Sequence, residues 1–409
     1  MTKHNKASLR TALGPQAYHL LELCGYRQIR RPLVNARTKM DGLAKSFLSR
    51  TPLRRAMLCD IQNITDIYAT HPDITDYQVM SPAQEIQFDT PSEREFLQQS
   101  DCFSDAAYRQ PEHFVCSVKN ACINFHHGAV ATSDGILLAE SAMEWRRMSI
   151  NGAYRSRRVT PQLKMDGEFS TIWGMWGQQF YHWWIDCLPR YASLQMTSPV
   201  CDLPLILPKP LSPFQQQSME AVLPKDAKIV FVEHDQWFRV DSLRLPSFVT
   251  WKACGFLPPE HANYMREACF DYADVDQTAA KNKRLYLSRS NIKRRQVLNE
   301  DELISRLKPM RFEVCRPESM TLADQIRLFQ SAECIVAPHG SALVNLLFSN
   351  DAKVLELFPT QTPQTHFFFL CKSLGHKYRF LLHHESNEHA NFAVDLDAFE
   401  SELDQLMNF

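Results

Sequence analysis

The sequence predicts an α/β protein built on more than one sheet, with doubly wound β-α-β units as its main element. Three observations predict it. A length of 409 residues exceeds the roughly 250–300 at which a single hydrophobic core stops growing, so two domains and an appendage are expected. A composition of 44% hydrophobic and 22% charged residues is the globular average, which excludes a disordered, collagenous or low-complexity chain. Finally, short apolar strands alternate with helical patterns over two separate stretches, as parallel β-α-β units require.

In chain order, HFVCSV and GAVATSDGILLAES, beginning near residue 112, read as strands, with Ser133-Asp134-Gly135 as a hairpin turn. The segment 203–207 (LPLIL) predicts a strand, 212–222 a helix, 228–233 (KIVFVE) a second strand and 241–245 a third. The later stretch is clearer. RLYLS over 284–288 predicts a strand; Asn299 and Glu302 form a capping box opening a helix that turns Leu303, Ile304 and Leu307 inward. A strand over 311–316 follows, then a helix capped by Thr321 with Leu322, Ile326 and Phe329 on one face. A strand over 334–337, a Pro338-His339-Gly340 turn, a helix over 341–348 and a strand over 354–358 complete the pattern. The tail, 383–409, has seven acids and no Lys or Arg; Leu396, Phe399, Leu403 and Leu406 share a stripe, which predicts a closing amphipathic helix. The expected division is an extension over 1–110, a first domain over 111–250, a second over 251–382, and this tail.

Net charge of −1 gives no whole-chain field toward nucleic acid. Residues 27–55 are the exception, with nine Arg or Lys against the single acid Asp41. They read either as a solvated face or as a contact for an anionic membrane or acceptor. Apolar runs fall short of the about 20 residues that span a bilayer, and the first residues lack the apolar stretch of about 7–15 residues of a secretory signal; a cytoplasmic protein is expected, peripheral to the membrane if 27–55 rests on lipid. Twelve cysteines are scattered without a zinc or C-x-x-C spacing and read as idle thiols.

Three constellations could carry chemistry. His182 and Asp186 are four apart, on one face if 180–187 is helical; the plain reading of that spacing is a structural polar contact, the sharper one a base whose imidazole a carboxylate orients. Trp173, Trp176, Trp183 and Trp184 crowd the same stretch, either as core or as flat platforms for sugar rings. Next, KNKRLYLSRSNIKRR (281–295) holds seven cations and no acid. Arg289 falls just past a strand's carboxyl end, where open parallel sheets bind ligands, and Lys293, Arg294 and Arg295 follow in a loop, as a phosphate-bearing donor would require. Last, His339-Gly340-Ser341 joins a buried strand to a helix whose free N–H groups favour an anion, a plausible diphosphate cradle without G-x-G-x-x-G or a Walker pattern. Glu356, ending the next strand, could accept bonds from ribose hydroxyls or pair with a nearby cation. Asp274-Val-Asp276 has the D-x-D form of some metal sites but follows a helical stretch, so chance explains it better; no cofactor is expected, and metal dependence stays open.

The order RLYLSR, Arg295 with Asn299-Glu300, Asp324-Gln325-Ile326, APHGSALVN and VLELFP resembles family 61 of the glycosyltransferases. The stretch His182–Arg190 is similar to the family's upstream H-W-x-x-D-x-L-P-R element. The resemblance covers about 170–380; Gln179 stands where many members have Asn, and 1–110 match no known pattern. It implies a GT-B architecture, two Rossmann-like doubly wound domains facing across a cleft, and inversion at the anomeric carbon. Arg289, Arg295, His339, Gly340 and Ser341 would then hold the donor phosphates and Glu356 the nucleoside. His182 and Asp186 would face them, with Trp183 and Arg190 on the acceptor side. One of the His182/Asp186 pair would take the acceptor's proton; which one stays open. The partners implied are a nucleotide-sugar, UDP-linked by family habit, and a glycan acceptor, anionic or lipid-linked, of a bacterial capsule or O-antigen. The alternative is a non-catalytic sugar-nucleotide-binding module or a scaffold subunit of a polysaccharide machine.

Overall fold

The computed structural model describes residues 61–408 except 89, 101–106, 127, 142–162, 201, 234–235, 251–254, 279, 361–362 and 384–385. The basic segment 27–55 lies outside the described residues. The first twelve strands are β1 (Ile61–Gln62), β2 (Ile74–Ser81), β3 (Gln84–Gln87), β4 (Ala107–Gln110), β5 (His113–Lys119), β6 (Cys122–Asn124), β7 (Ala129–Ala131), β8 (Leu137–Leu138), β9 (Leu163–Ser170), β10 (Leu205–Pro208), β11 (Ile229–Val232) and β12 (Trp237–Pro246). Ten of them form one sheet in the order β1-β8-β7-β6-β12-β9-β10-β11, with β5 pairing β12 and β2, while β3 and β4 pair separately.

The long strand β12 organises this sheet. One edge runs antiparallel to β5 and β6, the other parallel to β9. Beyond β9, β10 and β11 continue in parallel, crossing over through helices that include Pro213–Val222. The doubly wound pattern expected over 111–250 is thus confined to β9–β12, and the rest of the sheet is mixed. Connection length is the reason: the Thr132–Ile136 turn, closed by Thr132 N–H to Ile136 O at 2.9 Å, can only return its strand antiparallel, whereas a parallel neighbour needs a crossover of about a dozen residues.

The second sheet is parallel throughout: β13 (Lys283–Leu287), β14 (Phe312–Cys315), β15 (Ala332–Pro338), β16 (Lys353–Phe358) and β17 (Lys377–Leu382) lie in the order β14-β13-β15-β16-β17. Helices Glu300–Leu307, Leu322–Gln330 and His366–Leu374 and the 3₁₀ helix Ser341–Phe348 make the crossovers. Thr321 caps its helix, its hydroxyl accepting from Asp324 N–H at 3.2 Å. Asn299 does not cap: its amide exchanges bonds with the Val394 backbone at 2.9 and 2.8 Å and so pins the tail. The tail helix Leu396–Met407 then seats Phe399, Leu403 and Leu406 on Tyr286, Leu355 and Leu357.

One cluster of buried apolar side chains runs from Ile64 to Cys371 and draws on both sheets. A second packing contact adds to it: Phe96 stacks on Phe368 with ring centroids 4.4 Å apart, and Tyr108 meets Phe369 at 4.9 Å. Among the described residues no helix is long and apolar enough to cross a membrane. The described cysteines are free thiols, most of them buried.

Two histidines in this interior make stability depend on pH. His113 lies between Ser81 Oγ at 3.0 Å and Gln110 Nε2 at 2.8 Å, and burial, reinforced by His261, brings its pKa down to about 4. His376 accepts from Ala352 N–H at 3.1 Å and donates to Leu346 O at 3.0 Å, and burial lowers it likewise to about 4. In the unfolded chain both titrate near 6.5, so between pH 6.5 and 4 the unfolded state binds more protons and stability falls with pH. Calorimetric Tm should drop steadily across that window, with a shallower slope in His376→Gln; a flat Tm would contradict the assignment.

Candidate active site

Phe180–His182 begins a helix that widens into a π turn over Trp183–Cys187, where Leu188 N–H reaches Trp183 O, and continues as Leu188–Gln195. Pro189 accounts for the widening, because in an unbroken α-helix its ring would press on the Ile185 carbonyl. The turn sinks Asp186 into the core with 0% exposure and leaves His182 on the rim. His182 Nδ1 donates to Asp186 Oδ2 at 2.6 Å, and Thr250 Oγ1 donates to Asp186 Oδ1 at 2.5 Å. Both carboxylate oxygens are engaged. An imidazole whose Nδ1–H is held this way carries its lone pair on Nε2, so of the pair the His182 Nε2 is the atom left open to accept a proton. Of the four tryptophans, Trp173, Trp183 and Trp184 are core at 2%, 0% and 1% exposure. Trp176 stays half-buried beside His182, ring centroids 4.9 Å apart.

On the second sheet the strand order reverses between β13 and β15, the crevice where open parallel sheets bind ligands. Arg289 leaves β13 there, and His339-Gly340-Ser341 leave β15. Arg289 Nε and Nη2 each donate to Arg294 O at 3.2 Å, which lays the guanidinium over Gly340 so closely that a Cβ at 340 would lie 2.0 Å from Nη1. Gly340 has φ −179, extended backbone open to any residue, so it supplies space and not a special conformation. Burial lowers the Arg289 pKa, and Arg294 adds to the shift. Ser341 is exposed at the start of its helix.

His339 donates through Nδ1 to Glu356 Oε1, and its Nε2 meets Gln364 Oε1 at 2.7 Å; Tyr378 O–H donates to Glu356 Oε2 at 2.7 Å. Both ring nitrogens of His339 are thus engaged by side chains. A residue overlooked in the sequence joins the two clusters. His366 opens the helix His366–Leu374, its ring 6.2 Å from that of His339 and 4.8 Å from that of Tyr181, which itself packs edge-on against His182 at 5.1 Å. Burial, and the nearness of His339, His182 and Arg295, disfavour a charge on it. It had been hidden in the apolar run HFFFLC; its place after a strand's carboxyl end was the available signal.

Residues 180–355 match the family model described as Glycosyltransferase 61. Over those residues the chain is similar to the glycosyltransferases of family 61. No curated protein matches it.

Three residues expected to touch the substrates lie behind the site. Trp183 is fully buried and donates Nε1–H to Ser218 Oγ at 2.7 Å. Arg190, also at 0% exposure, donates to Trp173 O at 2.7 Å and to Pro246 O at 3.0 and 2.7 Å, lying over the Phe248 ring. Glu356 has no exposed surface and turns to His339 and Tyr378, so the strand-end carboxylate read as a nucleoside contact is the partner of a histidine. The Asp274-Val-Asp276 pair belongs to a helix end: Asp274 is its left-handed cap, and Asp276 accepts from Thr278. Elsewhere His71, Asp73 and Asp134 bring ligand atoms within 4.8 Å of one another. Asp73 N–H donates to His71 Nδ1 at 3.2 Å, so the neutral ring keeps its proton on Nε2, toward Asp134, where a metal would need a lone pair.

Two outcomes follow from this geometry. Arg190→Ala orphans two buried carbonyls, so urea denaturation should show a loss of about 3 kcal/mol or more; a variant as stable as wild type would return Arg190 to the acceptor side. Gly340→Ala should displace the Arg289 guanidinium, and if the crevice holds an anionic ligand its affinity should fall as in Arg289→Ala, the double variant losing little more than either single one; additive losses would mean that the two residues act separately.

Proposed function

We propose that this protein moves a sugar from a nucleotide-sugar, UDP-linked by the family resemblance, to a glycan hydroxyl with inversion. The two-sheet arrangement supports a GT-B reading with the donor held at the β13/β15 crevice. The observation that carries the proposal is the pairing of a histidine with an uncommitted Nε2, locked by a buried carboxylate, with a cationic strand-end crevice joined to it through Tyr181 and His366.

In this reading the acceptor oxygen attacks the anomeric carbon while His182 Nε2 takes its proton. The bond from that carbon to the diphosphate oxygen breaks on the opposite face. Arg289, Arg295, His339 and the first N–H groups of the helix Ser341–Phe348 balance the charge of the departing nucleoside diphosphate. Asp186 keeps its bond to the His182 Nδ1–H and holds the imidazolium that forms. Trp176 offers the acceptor sugar a flat face beside the base, in place of Trp183. The acceptor class proposed is a bacterial surface polysaccharide, capsule or O-antigen, with the basic segment 27–55 resting on lipid or on the growing anionic chain.

The test begins with a thermal-shift screen of nucleotide-sugars, since a ligand at about 100 times its dissociation constant adds about 2.7 kcal/mol. With the best donor and an acceptor panel, His182→Ala should lower kcat by about 10²–10⁴ while donor binding persists. Asp186→Asn should also lose most of its turnover, because the ring is no longer held in its productive tautomer. Turnover in His182→Ala equal to wild type would overturn the assignment of the base.

A further inference from the structure

We propose that His366 directly contacts the donor's diphosphate, as a third histidine of the site beside His182 and His339. The inference rests on the transferase reading above and deepens it.

The fold fixes His366 at the edge where the donor is proposed to sit. Its helix follows β16, so the first turn opens at the same carboxyl-end edge as Arg289 and Gly340. The first bond within that helix runs from Phe369 N–H to Thr365 O, which leaves the preceding N–H groups without acceptors inside the helix. Its backbone is closely held: a Cβ at Gly255, whose φ of +82 lies in the left-handed region, would come within 2.3 Å of His366 O and 2.7 Å of Tyr181 Oη. The imidazole is half-buried, and its nitrogens meet no hydrogen-bond partner among the described residues. Both nitrogens are therefore open to a ligand that enters the crevice.

The groups around the ring specify that ligand's charge. Tyr181 and His182 face it from the helix that begins at Phe180, His339 from the end of β15, and Arg295 from the loop after β13. None is an acid, and the nearby Glu356 is committed to His339 and Tyr378. Burial, then the nearness of His339, His182 and Arg295, bring the His366 pKa down to about 3, so the ring is neutral while the site is empty. A diphosphate supplies an acceptor oxygen for the ring N–H and opposes the Arg295 charge that helps keep the ring neutral. Its arrival therefore favours protonation, and donor binding takes up a proton.

Titration calorimetry tests this with UDP-glucose, UDP-N-acetylglucosamine, UDP-xylose and GDP-mannose, whose diphosphate diesters keep their charge between pH 6 and 8. Run near pH 7 in buffers of different ionisation enthalpy, wild type should take up protons on binding the tightest of these. Its affinity should rise as pH falls from 8 to 6. His366→Gln should bind about tenfold or more weakly, with less proton uptake, while uridine or guanosine alone binds both proteins equally. Wild-type affinity and proton uptake in His366→Gln would overturn the proposal and leave the transferase reading standing. If the variant does not fold, the wild-type pH series decides, a flat affinity overturning the proposal. Failure of wild type to bind any of the four would remove the nucleotide-sugar reading, and this inference with it.

Discussion

Two carboxylates without exposed surface, Asp186 and Glu356, govern which atoms the site can offer. An ionised carboxylate out of contact with water costs several kcal/mol unless both oxygens are bonded. Here both are: His182 and Thr250 satisfy Asp186, and His339 and Tyr378 satisfy Glu356. Neither acid can then approach a substrate without abandoning a partner, and the histidines become the outward faces of the two pairs. The pairs differ at the far nitrogen. His182 keeps its Nε2 uncommitted, whereas His339 presents its Nε2 to Gln364.

Strand order sets where these pairs meet. Because β13 is flanked by β14 and β15, the chain reverses direction of travel across the sheet beside β13, and the loops leaving β13 and β15 part to open a crevice. Arg289 and Gly340 occupy its two lips and are packed on each other, which ties the cationic loop 289–295 to the strand end. The first sheet reaches the same place by different means. The helix after β9 carries His182, and the π turn required by Pro189 rotates Asp186 inward beneath it.

The regular parts of this arrangement were legible in the sequence. Periodicity located β13 to β16 and the tail stripe, since buried parallel strands read as apolar runs and a one-sided helix as a repeating stripe. The pairing of His182 with Asp186 and the proximity of Arg289 to Gly340 were also legible, from spacing and from the rule for strand ends. Burial was not. Trp183, Arg190 and Glu356 resemble contact residues by type, but their roles depend on neighbours distant in sequence: Ser218, Pro246 and Tyr378. Asn299 similarly forgoes a local cap for the Val394 backbone, a partner that only the folded tail supplies. His366 escaped because three phenylalanines follow it and their apolar signal conceals the helix start.

The two halves of the site are held together by core packing and not by a flexible hinge. The apolar cluster that draws on both sheets, and the stacking of Phe96 and Tyr108 on Phe368 and Phe369, would be exposed by a wide opening. At about 1.5–3 kcal/mol for each large side chain returned to water, such an opening is far less favourable than a local rearrangement. Gln364 is where a local rearrangement suffices. It is exposed, and its amide oxygen occupies the one nitrogen of His339 that points away from Glu356. In the proposed reading a phosphate oxygen, forming a charge-assisted bond, would take the place of Gln364 at His339 without unpacking the core. On that reading donor entry needs the rotation of one surface side chain, with His182 already fixed by Asp186.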